Sequence, residues 1–379
     1  MSSPFGYGLV SADSHVTEPP DCYATYIDPA YRDRAPYISN DPDRGDLYVI
    51  PGMEHNKVAM GLVAAAGEES SQMTFTGRDF ADWHRSGWDP SHRLADQDRD
   101  GVVAEMLFAT VGMNLAGHDD LDYRRATMEA YNRWLVDYCS HAPDRLYGAG
   151  QAAMKNAADG ADELAVIADQ GLAAVMMAGS PGEADYDDPV YDRVWAAAVD
   201  LDLPLCFHIL TDTSFRPFRG PKINALLNTM RSCQDIVGML IYGGVFDRHP
   251  DLKVVCVEAD AGWAPHYAYR MDAIYNRHRF WNKCAELGRM PSEYFYENVY
   301  MTFQDDWTAF RCHDQLNTER LLWANDFPHS DSTWPLSQQL LVEHTSHLDD
   351  GTRRRILRDN ACELFAMDAP ERAPSANAA

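Results

Sequence analysis

Eight short apolar runs recur along the chain, each bounded by turn residues: YGLVSAD (7–13), GVVAEMLFAT (101–110), LYGAGQAAM (146–154), GLAAVMMAG (171–179), LPLCFHIL (203–210), LKVVCVEA (252–259), NVYMTF (298–303) and RLLWAND (320–326). Several are apolar at nearly every position and lack the alternation of a half-exposed strand. Parallel strands covered on both faces have that pattern. Between the runs, helical periodicity predicts helices over 123–142, 157–170, 188–202, 223–250 and 264–280. Repeated strand–helix units imply parallel pairing through right-handed crossovers, and eight of them predict a closed (β/α)8 barrel of the TIM type.

Such a barrel uses about 250 residues, and the chain has 379. The excess lies mainly between the first two runs. Residues 22–95 are rich in Pro, Asp, Gly and Trp and contain one short strand and turn, GDLYVIPGM (45–53), so they read as an insertion packed over the barrel mouth. Residues 1–367 then form one barrel domain, and the small, polar tail DAPERAPSANAA (368–379) is expected to be disordered.

Composition narrows the partners. Apolar residues make up 46% of the chain and charged residues 24%, which excludes a disordered chain. No apolar run approaches the roughly 18 residues of a membrane span. The start, MSSPFGYGLVSADSH, has neither a basic segment nor a long apolar one, so no secretory signal is expected. With 32 basic against 58 acidic residues, the net charge of -26 repels phosphate backbones and anionic membranes, so neither is expected as a partner. The eight cysteines show no C-x-x-C spacing; a reducing compartment, the cytoplasm, and no disulfides are expected.

In a barrel of this kind, catalytic groups stand at the C-terminal ends of the strands. The first run ends in Asp13-Ser-His15, with Glu18 close behind; residues two apart on a strand face the same way, so Asp13 and His15 can meet one metal ion. The fifth run ends at His208, the sixth at Glu258 and Asp260, and the eighth at Asn325-Asp326, followed by His329 and Asp331. Two imidazoles and two carboxylates converging from separate strands suit Zn2+ or Mn2+, and a position left for water or substrate would make the site catalytic. Arg216 and Arg219, after the fifth run, are candidates to clamp a substrate carboxylate. Phe108, Trp263, Phe303 and Trp334 are candidates to stack on a planar ring.

The series SADSHVTEPP, DPSHRLADQDRDGVVAEMLF (89–108), APDRLYGAG (142–150), LPLCFHI (203–209), GGVFDRHPDLKVVCVEADAGWAPHYAYRMD (243–272), LLWANDFPHSDSTWP (321–335) and ILRDNACELF (356–365) resembles the amidohydrolase superfamily. The similarity is to its branch containing aminocarboxymuconate semialdehyde, γ-resorcylate and 5-carboxyvanillate decarboxylases. It covers nearly the whole chain except the insertion and tail. The resemblance implies a distorted (β/α)8 barrel with one divalent metal, Zn2+ or Mn2+, no organic cofactor, and a homodimer. Its metal ligands would be Asp13, His15, His208 and Asp326. Asp13 stands where relatives carry His or Glu, and its shorter side chain leaves Glu18 as a competing ligand. His329 would be a further ligand or a support for Asp326. On the sixth strand relatives usually carry a His, where this chain has Glu258; either Glu258 takes over proton transfer or His266, eight residues on, reaches back into the pocket.

The resemblance therefore implies a small-molecule enzyme, foremost a metal-dependent, non-oxidative decarboxylase of an aromatic or unsaturated carboxylic acid. In that reading the metal binds the substrate carboxylate and a neighbouring oxygen, and Asp326 delivers a proton to the carbon that loses carbon dioxide. The alternative is a hydrolase of an amide, ester, lactone or activated carbon–carbon bond, in which Asp326 takes a proton from metal-bound water. A barrel reduced to a binding protein would be expected to lack the eighth-strand acid, which is present.

Overall fold

The computed structural model describes residues 3–53, 57–211, 219–221, 223–282 and 284–372. All eight predicted strands form: β1 (Leu9–His15), β5 (Val102–Phe108), β6 (Leu146–Ala152), β7 (Ala174–Met177), β8 (Leu205–His208), β9 (Val254–Val257), β10 (Val299–Phe303) and β11 (Leu321–Trp323). They make one parallel sheet in the order β1-β5-β6-β7-β8-β9-β10-β11. The strands are buried along almost their whole length, as their largely apolar sequences require. The seam between β11 and β1 is closed just beyond β11. Asn325 N–H donates to Ser11 Oγ (2.9 Å), Asp326 N–H to Asp13 O (3.0 Å) and His15 N–H to Phe327 O (2.7 Å). Barrel closure thus brings the polar ends of the first and last strands together.

The helices follow their local signals. Asp89 caps Pro90–Asp100 by accepting from Ser91 N–H, Pro90 fits the first turn, and Gly101 at φ +77° ends the helix. This helix runs straight into β5 and belongs to the barrel, so the expected insertion stops at residue 89 rather than 95. The helix expected over 223–250 is instead three pieces, Ile223–Leu227, Arg231–Tyr242 and Val245–Arg248. The Gly243-Gly244 pair, with Gly244 at φ +69°, breaks its last turn.

The insertion carries a small antiparallel sheet of β2 (Tyr37–Asp41), β3 (Gly45–Val49) and β4 (Val58–Ala59), of which only β3 is expected from the sequence. It packs on the loops that follow the barrel strands. Tyr48 Oη donates to Pro19 O (2.9 Å), Ala66 N–H to Pro328 O (3.0 Å) and Ser330 N–H to Leu62 O (2.8 Å). The tail does not loosen at 368 as expected. Arg358 donates to Ala369 O (2.7 Å) and Pro370 O (3.0 Å), and Gly8 N–H donates to Glu371 O (2.8 Å), tying this stretch to the foot of β1. Residues 373–379 lie outside the described residues.

Candidate metal centre

β1 is extended, so Asp13 and His15 share one face; both are fully buried. His208 is the last residue of β8, Glu258 follows β9, and Asp326 lies just past β11. Their ligand atoms converge: His15 Nε2 lies 3.1 Å from His208 Nε2, 3.5 Å from Asp13 Oδ1, 3.5 Å from Asp326 Oδ1 and 4.0 Å from Glu258 Oε2. His208 Nε2 lies 3.4 Å from Glu258 Oε2 and 3.8 Å from Asp13 Oδ1. Glu258 and Asp326 both sit at positive φ, +60° and +51°. Such strain in non-glycine residues persists only where the surroundings enforce it, often at functional sites.

Hydrogen bonding shows what the cluster lacks. His15 Nδ1 bonds to Ala109 O (3.1 Å) and His208 Nδ1 to Ile209 O (2.9 Å). A carbonyl only accepts, so both Nδ1 atoms donate, and each neutral ring turns a lone pair at its neighbour. Asp13 Oδ1 and both carboxylate oxygens of Asp326 are buried without a hydrogen-bond partner. Lone pairs and orphaned carboxylate oxygens gathered this closely call for a cation among them. The donor set of imidazole and carboxylate fits a first-row divalent metal.

Without a metal, protons answer part of that need. Burial works against a charged His208, but Asp13 and then Glu258 outweigh it and push the imidazole up to about 9. Burial and the neighbouring imidazoles hold His15 well below its usual value. Burial first, and then the Asp326 charge, raises Glu258; burial and then Asp13 raise Asp326. A metal must displace the proton on His208, because both use Nε2. Metal uptake at pH 7 is therefore expected to release at least one proton, with affinity rising by about tenfold per pH unit up to about pH 9. Calorimetry in two buffers of different ionisation enthalpy measures this, and uptake without proton release would contradict it.

His329 joins the cluster from beyond β11. Its ring stacks on His15 with centroids 3.8 Å apart, and its Nδ1 is 3.1 Å from Asp326 Oδ1. Its Nε2 lies 3.0 Å from Thr110 Oγ1, whose own hydroxyl donates to Val16 O (2.7 Å). Thr110 must then accept from Nε2–H, which leaves the Nδ1 lone pair facing Asp326. Burial lowers His329 to about 3, so the ring stays neutral.

Other expected site residues stand elsewhere. Glu18 is buried but not in the cluster: it accepts from Val111 N–H and Gly112 N–H (both 2.9 Å) and from Tyr23 Oη (3.2 Å), anchoring the loop after β5. Glu18→Ala is expected to leave metal stoichiometry unchanged while costing about 2–4 kcal/mol in urea unfolding, because two buried N–H groups lose a charged acceptor. His266 is exposed on the helix Ala264–Asn282 and does not reach back. Trp263 donates from Nε1 to Ala259 O (2.7 Å) and packs on Tyr267 and Phe295, so it braces the loop behind Glu258. Phe303 packs on Phe310 and Trp334 on Phe327, whereas Phe108 lies beside the rings of His15 and His208. Arg219 is exposed, and Arg216 lies outside the described residues.

Several supporting residues are not apparent from sequence reading. Arg93, fully buried, donates to Glu105 Oε2 (2.6 Å), His15 O (2.7 Å) and Phe327 O (3.2 Å), pinning the ends of β1 and β11 to each other. Asn325 Oδ1 accepts from Ser14 Oγ (2.9 Å), and Thr302 Oγ1 accepts from Glu258 N–H (2.8 Å). Gln304 has its buried Nε2 unpartnered and lies beside Asp326. One signal for Arg93 was readable: Glu105 interrupts an apolar strand, and a buried carboxylate needs a partner.

A model of the amidohydrolase family matches residues 12–367. The chain belongs to the amidohydrolase family. A relative from Dictyostelium discoideum, 2-amino-3-carboxymuconate-6-semialdehyde decarboxylase, is 24% identical over 311 residues, 79% of this chain and 82% of its own length. Among solved structures, an amidohydrolase from Mycobacterium avium subsp. paratuberculosis K-10 is 21% identical with a TM-score of 0.76, covering 95% of this chain and 98% of that one. A 5-carboxyvanillate decarboxylase from Novosphingobium aromaticivorans DSM 12444, solved with manganese and 4-hydroxy-3-methoxy-5-nitrobenzoic acid, is 20% identical with a TM-score of 0.71, covering 96% of this chain and 97% of that one. The shared fold is the eight-stranded parallel barrel, and the amidohydrolase described here places its carboxylate–imidazole cluster at the C-terminal ends of those strands.

Proposed function

We propose that this amidohydrolase is a metal-dependent, non-oxidative decarboxylase of an aromatic or unsaturated carboxylic acid. The observation that carries the reading is Asp326: a fully buried acid, both oxygens without hydrogen-bond partners, set beside two imidazole lone pairs and raised by burial and by Asp13. Burial and Asp13 raise its hold on a proton, and a carboxyl so placed can give a proton up in the reaction. The decarboxylase activity of its relatives supports the same choice.

Asp13, His15, His208 and Asp326 would hold the ion; Glu258 and His15 are common to the group with Asp13 and His208 and to the group with Asp326 and His329. A divalent ion there supplies Lewis-acid binding and polarisation of the substrate. Asp326 adds its proton to the substrate carbon that bears the carboxylate. The carbon–carbon bond then breaks, its electron pair returns to the unsaturated system, and carbon dioxide leaves. Asp326 remains as carboxylate and regains a proton from solvent. Neutral His329 keeps a lone pair rather than a positive charge against Asp326, so it does not favour ionisation of the acid before substrate arrives. Phe108, packed beside the ligand imidazoles, supplies an apolar wall.

Manganese is favoured over zinc, because the carboxylates of the cluster give it hard oxygen donors and the Novosphingobium relative was solved with manganese. We place the protein in the cytoplasm as a homodimer acting on a small molecule. Its eight cysteines are all free, which suits a reducing compartment. The dimer follows from the family resemblance and is checked by light scattering. Among the described residues, no helix is long and apolar enough to cross a membrane.

One feature favours a second reading. Glu258, a carboxylate where relatives usually carry histidine, could accept a proton from a bound water, as a hydrolase requires. Carbon dioxide release from hydroxybenzoic and unsaturated acids by the manganese-loaded protein tests the choice. Gas release establishes the decarboxylase; turnover of esters, amides or lactones without gas release would replace it with the hydrolase.

A further inference from the structure

Gln304 stands one residue past β10, between the two strands whose ends carry Glu258 and Asp326. Thr302, two residues earlier, faces the cluster: its Oγ1 lies 3.5 Å from Asp13 Oδ2 and accepts from Glu258 N–H (2.8 Å). Phe303, between them, packs on Phe310 instead. Alternation along an extended chain turns Gln304 to the side of Thr302, and its amide lies beside Asp326.

Only 5% of Gln304 is exposed, and its Nε2 has no hydrogen-bond partner among the described residues. Both oxygens of Asp326 are likewise without one, so the amide and the acid lie close but do not bond to each other. A primary amide carries two N–H donors. Leaving them unmet in a buried place destabilises the free protein, so packing alone does not account for a glutamine here.

The partner must therefore arrive with the ligand, and it must be an oxygen acceptor. Asp326 protonates the carbon that bears the substrate carboxylate, which brings the carboxylate oxygens close to Asp326 and its neighbour. A charged oxygen is also the stronger acceptor. The neutrality of the amide matters as well. A lysine or arginine in its place would favour the ionised form of Asp326, which has to keep its proton until the carbon takes it.

We propose that Gln304 binds the substrate carboxylate, donating from Nε2 to an oxygen of the group that leaves as carbon dioxide. The proposal rests on the decarboxylase reading above and deepens it, adding a substrate-binding residue outside the carboxylate–imidazole cluster. As the carbon–carbon bond breaks, its electron pair goes to the unsaturated system and the carboxylate oxygens lose their negative charge. The hydrogen bond from Gln304 weakens along that path. It favours binding of the acid rather than its turnover, and it releases neutral carbon dioxide.

Titration calorimetry of the protein in Mn2+ tests this without turnover, using 2-hydroxybenzoate, 4-hydroxybenzoate and catechol, a ring of similar size without a carboxylate. Gln304→Met is expected to weaken the acids by about tenfold or more and to leave catechol unchanged. Thermal stability should hold or rise, because Nε2 makes no hydrogen bond that would be lost. Gln304→Glu has the same shape with an acceptor in place of the donor, and carries the same expectation where the methionine variant fails to fold. Where carbon dioxide is released, KM should rise while kcat holds or rises. Unchanged acid binding in a folded variant, or equal weakening of acids and catechol, would overturn the proposal and leave the decarboxylase reading standing. Acid binding that depends on Gln304, with no gas release from any hydroxybenzoic or unsaturated acid, would overturn the decarboxylase reading and leave the carboxylate contact in place. A wild type that binds neither acid would overturn the proposal outright.

Discussion

Asp326→Asn is expected to lower carbon dioxide release by roughly 10²–10⁴-fold while the barrel stays folded. The amide has the shape of the acid but no carboxyl proton to give. Stability should hold or rise, because the substitution removes a buried acid crowded by Asp13 and because neither Asp326 oxygen makes a hydrogen bond that would be lost. The measurement is gas release alongside thermal unfolding and metal content. Metal content separates the two roles of the residue: retained metal with lost turnover identifies the proton donor, whereas lost metal identifies a ligand. More than a tenth of wild-type activity in a metal-loaded variant would exclude Asp326 as the acid.

Arg93→Met is expected to destabilise the protein by roughly 3–5 kcal/mol in urea unfolding. The residue touches no candidate ligand side chain, yet it joins Glu105 on β5 to the backbone of His15 and Phe327. Removing it leaves Glu105, 1% exposed, with only Gln97 Nε2 (2.7 Å) and Ser14 Oγ (3.3 Å) as side-chain donors among the described residues. A buried carboxylate without its cation is costly, whereas replacing the whole pair by apolar groups often is not. Arg93→Met with Glu105→Leu should therefore recover much of the loss. A single variant less than about 1 kcal/mol below wild type would show that the pair does not brace the barrel. The seam carries Asp13, His15 and Asp326, so metal affinity should fall together with stability.

The parts of this architecture that were readable share a cause. A strand buried on both faces is mostly apolar, so each barrel strand announced itself, and the polar residue closing it stood out. Asp13, His15, His208, Glu258 and Asp326 are all marked as candidates that way. Glu18 was misplaced because sequence proximity to His15 says nothing about direction: its carboxylate turns to the backbone of the loop after β5. His266 lies eight residues past Glu258, but the intervening turn carries it onto an exposed helix. The strands β2 and β4 were missed because they are short and only partly buried, so they carry little hydrophobic signal.

The sequence by itself determined the barrel, its strand order by succession, and the residue types at the strand ends, since these follow from local periodicity and burial. Only the tertiary structure decided which polar groups face one another. The 3.1 Å approach of His15 to His208, the stacking of His329 and the placement of Glu258 4.0 Å from His15 depend on barrel closure and on backbone conformations at φ +60° and +51°. Those conformations are unfavourable locally and are held by partners far away in sequence, such as Thr302 for Glu258. Local pattern therefore reveals which residues are candidates, while the long-range contacts that outweigh local preference assemble them into a site.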